Sequence, residues 1–208
     1  TDQKKYAKDI KAGIEAQDRL WWPIKKAKKR YPRRVFNMGN HDEPRISRHL
    51  EEFPELDGWM SPKDMQLEDY WDDVVPFLDP IIIDSIAYSH YWVSGVMGRP
   101  ISGGRPAHQI LNKEHMSATS GHTHTLDFAK QHKADGKVIQ ALVGGCFVDY
   151  NTEWNNTQSN SMWHSGICIK RNVDAGNYDL QIVQTSTLKK EYGKSGRHSG
   201  RRDKTTHR

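Results

Sequence analysis

The sequence predicts a mixed α/β sandwich, and three observations carry that prediction. Helical periodicity fills the first part of the chain. Strand-like runs crowd the second part. The early region alternates strand, turn and helix, whereas the late region reads as hairpins.

Taken in order, residues 2 to 30 read as a helix. Ile10, Ile14 and Leu20 with Trp21 give a loose apolar stripe, and Lys and Asp occupy the other faces. Pro23 is expected to break or kink it, because proline removes a donor and crowds the preceding turn. The basic segment KKAKKRYPRR, residues 25 to 34, leads into a strand over Arg34 to Met38 and then a polar turn. Residues 43 to 52 look helical. Ser61 as N-cap with Pro62 at the first helical position starts another short helix. Strands are expected at Val74 to Phe77, Ile81 to Ile83 and Ile86 to Val93, the last running into a glycine-rich loop over 94 to 104. A helix over Ala107 to His115 follows, then a short strand near Met116 to Thr119 and the polar turn SGHTHT, 120 to 125. Three strand runs close the fold: KVIQALVGGCFV, MWHSGICIKR and YDLQIVQTS, with a turn over Asn172 to Asn177. Beyond about Gly193 almost nothing is apolar, and disorder is expected.

Composition narrows the function classes. The chain has 208 residues, enough for one domain with a real core. No apolar run approaches the ~18 residues of a membrane helix, and no signal-peptide pattern opens the chain. Cys146 and Cys168 are the only cysteines and form no CxxC pair, which speaks against a zinc-finger or disulfide framework. Buried thiols of this kind suit a cytoplasmic protein. Residues 1 to 34 hold twelve Lys/Arg against four acids, and residues 189 to 208 hold eight against two. With a total net charge of +5, the segment between them carries −9. An acidic body with basic ends is unlike a protein that grips nucleic acid with its core, and it suits a cation site.

The chemistry concentrates at three places. The stretch VFNMGNHDEPRI, residues 35 to 46, begins as a strand, turns at Gly39, and then sets Asn40, His41 and Asp42 side by side. His90 stands in an otherwise apolar run. His122 and His124 follow Gly121. Imidazole is the commonest neutral metal ligand. Histidines at i and i+2 of an extended segment point the same way, so His122 and His124 are expected to converge on one ion or on two neighbours. Each has a plainer reading: Asn40 as a turn former, His90 as a core histidine, His122 and His124 as surface residues. Arg45 is read either as a bidentate contact to a substrate phosphate or, equally well, as an exposed helix arginine. His164 is a cleft-lining residue in this reading, and Trp92 is a base-stacking candidate.

GNHD at 39 to 42, His90 and GHTH at 121 to 124, in this order and at these separations, resemble the calcineurin-like metallophosphoesterase superfamily. SHYWVSGVMGRPISGG, GGCFVDY and MWHSGICIK are similar to segments of its phage and bacterial members. The resemblance implies a four-layer α-β-β-α sandwich of two mixed sheets flanked by helices. That domain would span residues 1 to 190, with a basic tail over 191 to 208. It implies a binuclear site at strand ends, with Asn40, His90 and His122 on the second ion and His124 on the first. His41 would protonate the leaving oxygen, and Asp42 would hold or orient His41. Two ions ~3.5–4 Å apart can neutralise phosphate oxygens through an in-line displacement. The mixed N and O donors suit Mn, Fe, Zn or Co. The implied activity is hydrolysis of phosphodiesters or phosphomonoesters, with nucleic acid or nucleotides among the substrates and no membrane partner.

The family pattern opens with DxH and GDxxD motifs on earlier strands, and this chain contains neither. Asp2 and Asp9 fall in the helical stretch, and Asp84 comes too late in the order. Those motifs would supply most of the first ion's ligands. The chain is therefore expected to lack roughly 40 to 60 N-terminal residues, about one βαβ unit. It should hold at most one ion well and hydrolyse weakly. The rival expectation is a catalytically inactive module of the same fold that binds nucleic acid through its basic ends.

Overall fold

The computed structural model describes residues 2–27, 30–148 and 161–193. The expected disordered tail beyond Gly193 lies outside the described residues. The fold is mixed α/β, and it divides into two compact units: Thr1–Ile83 with Ala87–Pro100, and Asp84–Ile86 with Ile101–Arg208. Among the described residues no helix is long and apolar enough to cross a membrane.

The first unit opens with α1 (Asp2–Ala27), which continues through Pro23. The expected break is absent. Anchors just before the proline outweigh its single missing donor: Trp21 packs edge-on against Trp71 with ring centroids 5.1 Å apart, and Trp71 Nε1 donates to Gln17 Oε1 at 2.7 Å. Strand β1 (Val35–Asn37) pairs in parallel with β2 (Asp73–Val75), Phe36 opposite Val74. Just before β1, Arg34 grips Asp72 through two side-chain bonds of 3.0 and 2.7 Å. Together with Arg34's own backbone N–H these hold the Asp72 carboxyl at about 2. Arg33 pairs with Asp73 at 2.7 Å. Two cations of the basic segment are thus engaged in fastening the sheet.

Helix α2 (Glu43–Glu52) lies where expected. Ser61 forms the expected cap, with its hydroxyl on Lys63 N and Asp64 answering back. The helix it starts is only a 3-10 turn, Pro62–Met65. Gln66 at φ 52° interrupts it before the short α3 (Leu67–Tyr70). Strand β3 (Ile81–Ile83) and strand β4 (Ile86–Tyr88) flank Asp84 and Ser85, both at positive φ, as a two-residue hairpin turn requires. The glycine-rich loop is no loose flap. Ser94 N donates to Arg99 O at 2.7 Å, and Val93 bridges Pro100. Trp92 is only 9% exposed, which removes it as a base-stacking platform.

The second unit contains α4 (Pro106–Glu114), β5 (Ser117–Ser120), β6 (Leu126–His132), β7 (Val138–Gly144), β8 (Gly166–Asp174), β9 (Asn177–Gln184) and α5 (Thr185–Tyr192). Strand β7 runs parallel to β5 and antiparallel to β6, and β8 and β9 form a hairpin. Ala118, Ala141, Leu142 and Val143 bury completely, as do Ala107, Ile110 and Leu111 of α4, whose apolar side faces these strands. Asp127 of β6 caps α4 by accepting from Ala107 N at 2.9 Å.

Two polar residues inside this unit carry weight. Gln140 is 2% exposed. Its amide donates to Tyr178 O at 3.0 Å and accepts from Tyr178 N at 2.7 Å, so one side chain acts as a strand partner. Lys170 of β8 donates to Thr119 Oγ1 and lies 5.0 Å from the Tyr178 ring centroid. Burial pushes its amine down to about 7, with the Cys168 thiol pulling slightly the other way. An unfolded lysine titrates near 10.5, so the unfolded chain binds more protons between pH 7 and 10.5. The native state therefore carries its full lysine penalty below pH 7 and sheds it as pH rises to 10.5. Lys170→Met is expected to stabilise the protein by ~2 kcal/mol at pH 6. That gain should shrink steadily across pH 7 to 10.5 in urea melts. A pH-independent difference would refute the assignment.

Candidate metal centre

The turn after β1 is closed by its own residues. Asp42 N donates to Gly39 O at 3.1 Å, and Asp42 Oδ2 accepts from Gly39 N at 2.6 Å. Asp42 is the N-terminal boundary of α2, yet its carboxylate makes no cap bond to the helix because it turns back into the loop. Burial pushes this carboxyl up, while the Gly39 N–H and His41 pull it down. Asp42 was expected to hold or orient His41; its carboxylate is on the Gly39 N–H and not on the His41 ring, so any such hold runs through the turn. The group bonded to the imidazole is Arg45, whose Nη1 lies 3.3 Å from His41 Nδ1. A guanidinium can only donate, so Nδ1 is the acceptor in this contact and the ring proton resides on Nε2.

His90 reaches the same turn from 50 residues away. It lies just beyond β4, which ends at Tyr88, rather than inside the longer strand expected over 86 to 93. The reason is local: Ser89 Oγ donates to Tyr91 O at 3.2 Å, a side-chain bond that competes with strand pairing. The His90 ring then packs against Gly39. A Cβ at position 39 would come within 2.9 Å of His90 Cε1 and 3.1 Å of Nδ1, so glycine here makes room for the imidazole. His90 Nε2 and Asn40 Oδ1 stand 2.9 Å apart. Adjacent ligands of a six-coordinate divalent ion, each ~2.1 Å from the metal and about 90° apart, are separated by about 3.0 Å. The pair fits two neighbouring coordination positions. Nε2 donates to the amide oxygen, and a metal would take the place of that proton.

His122 and His124 belong to the second unit. Neither is extended: their φ angles are 64° and 60°. Thr123 N donates to Gly121 O at 2.8 Å, so His122 is the middle of a three-residue turn, a strained form for a side-chain-bearing residue. The expectation that the two histidines share a side because they alternate along a strand therefore fails. Across the same spacing Thr123 and Thr125 bring their hydroxyls to 3.0 Å. His124 is fixed instead from the segment before β8. Its carbonyl accepts from His164 N at 2.8 Å, and its ring meets Trp163 edge-on at 4.3 Å. Gly145, at φ 75°, lets that segment pass, since a Cβ there would collide with the His164 carbonyl. Trp163 escaped the sequence reading; its signal was the aromatic directly before His164 in MWH.

The structure thus gathers Asn40, His41, Asp42, Arg45 and His90 around one turn of the first unit and places His122 and His124 on one turn of the second. Among the described residues no group of three or more His, Cys, Asp or Glu is placed to hold a metal ion. Asn37, at the end of β1, keeps a buried Oδ1 without a hydrogen-bond partner. No family model matches the chain, and neither a curated protein nor a solved structure matches it.

Proposed function

We propose that the chain is a metal-dependent phosphoesterase of the calcineurin-like type, with the four-layer α-β-β-α sandwich that this type implies and the cytoplasmic location that its cysteine usage suits. The observation that carries the reading is the 2.9 Å approach of Asn40 Oδ1 to His90 Nε2 on the same turn that presents His41. Asn40 and His90 would hold one divalent ion of the Mn, Fe, Zn or Co class. The ligand roles of His122 and His124 rest on the resemblance alone. Such an ion supplies Lewis-acid polarisation of a phosphoryl oxygen and activation of water.

The chain's own residues supply the rest. His41 would deliver a proton from Nε2 to the leaving oxygen in its imidazolium form, which gives up the Nδ1 contact with Arg45 and returns to neutral imidazole once the proton has left. The Arg45 guanidinium, on the exposed side of α2, attracts the phosphate. Asp42 fixes the loop through Gly39 so that Asn40 and His41 keep their places.

Hydrolysis of bis(4-nitrophenyl) phosphate, stimulated by Mn and lost in His90→Ala, tests the proposal. A folded, Mn-loaded protein with no hydrolysis of this or any simple phosphate ester would refute it. The second reading, a non-catalytic nucleic-acid binder, draws support from the lack of a larger ligand cluster among the described residues. It is opposed by the engagement of Arg33 and Arg34 with Asp73 and Asp72. Salt-dependent retention of single-stranded nucleic acid without hydrolysis would favour it.

A further inference from the structure

The first unit contains a cavity of about 790 Å³, within the size range of small-molecule sites. Its floor is apolar, built from Ile10, Ile14, Phe36, Ile46, Met65 and Trp71. His41 and Arg45 form part of its wall, and Arg48 continues the basic side along α2. Asp9, Asp42 and Glu52 also line it, Asp42 with one carboxylate oxygen engaged by the Gly39 amide. The proposed acid and its arginine partner therefore border an apolar chamber.

Helix α1 is fastened over this chamber at two places. The Tyr6 hydroxyl reaches Ser61 O at 3.1 Å and Asp64 Oδ2 at 2.9 Å. Further along, Gln17 accepts from Trp71 and Asp18 from the Tyr70 hydroxyl at 2.8 Å. Between the two fastenings Gly13 lines the cavity, and a Cβ there would meet nothing within 4 Å. Glycine inside a helix costs ~1 kcal/mol relative to alanine. No neighbour requires the missing side chain, so the glycine's effect is to leave the chamber open.

We infer that this chamber receives the organic group of the substrate, and that the substrate is a phosphate ester carrying an apolar, ring-sized group whose phosphate lies at Arg45 and His41. The phosphate end of this inference rests on the hydrolase reading; the chamber does not. The test is calorimetric titration with two non-hydrolysable probes, phenylphosphonate and methylphosphonate. Phenylphosphonate is expected to bind about 10-fold tighter or better, as burial of one ring implies. Gly13→Leu fills the chamber with a better helix former, and it should abolish this preference while leaving methylphosphonate binding unchanged. Met65→Trp, filling from the opposite side, should do the same and covers the case in which the first variant folds poorly. Arg45→Ala should weaken both probes.

Equal affinity for the two probes, no binding of either, or a preference that survives both filling variants would overturn the inference. So would sedimentation showing a dimer that Gly13→Leu dissociates, because a second copy would then occupy the chamber. Binding is read without turnover, so the two readings fail separately. An intact ring preference with no ester hydrolysis would sink the hydrolase alone. Hydrolysis without ring preference would sink the chamber alone.

Discussion

His41→Ala is expected to slow hydrolysis of an alkyl phosphodiester by about 10³-fold and that of bis(4-nitrophenyl) phosphate by only about 10-fold. The asymmetry follows from the leaving group. An alkoxide needs a proton as the bond breaks, whereas a nitrophenolate departs as the anion. His41 is exposed and meets Arg45 through Nδ1, so its removal takes away a proton donor without opening a core. The thermal midpoint should therefore not move. Parallel steady-state rates on the two esters check the prediction. Equal losses on both would mean that His41 binds or positions substrate and does not protonate the leaving oxygen.

Gln140→Met is expected to lower stability by about 3 kcal/mol. Methionine is close in volume, so packing is nearly kept. What disappears is the pair of bonds to Tyr178 N and O inside a site that water does not reach. Each buried backbone group deprived of its partner costs ~1–3 kcal/mol. The neighbouring contact of Ser117, whose hydroxyl accepts from Gln140 N at 3.0 Å and donates to Gly176 O at 2.7 Å, uses backbone and should persist. Urea titration with an unchanged slope and a lower midpoint is the expected result. A loss under ~0.5 kcal/mol would show that the Tyr178 peptide finds other partners.

Some of this architecture was legible from short-range rules. The turn at Gly39, helix α2 and the Ser61 cap all follow from local chemistry, and each lies where that chemistry puts it. Other features were hidden for identifiable reasons. Strand β6, LDFAKQH, carries exposed polar residues and lies at the edge beside β7, so it shows no apolar signature. The run through His90 looked like a continuing strand because Tyr91, Trp92 and Val93 are strand-type residues; the Ser89 hydroxyl ended it earlier. The left-handed backbone at His122 and His124 had only a weak signal, since histidine is enriched at positive φ yet adopts it in a small minority of cases. The meeting of Asn40 with His90 had no local signal either. Fifty residues separate them, and only the resemblance of the ordered motifs suggested it.

The central claim is that Asn40 and His90 share a divalent cation, and calorimetric titration of the metal-free protein with Mn tests it most directly. The account predicts one well-bound ion per chain, with affinity falling at least about 10-fold in both Asn40→Ala and His90→Ala, and no change in His132→Ala, an exposed histidine of β6. Two tightly bound ions per chain, or one whose affinity is indifferent to Asn40 and His90, would contradict it.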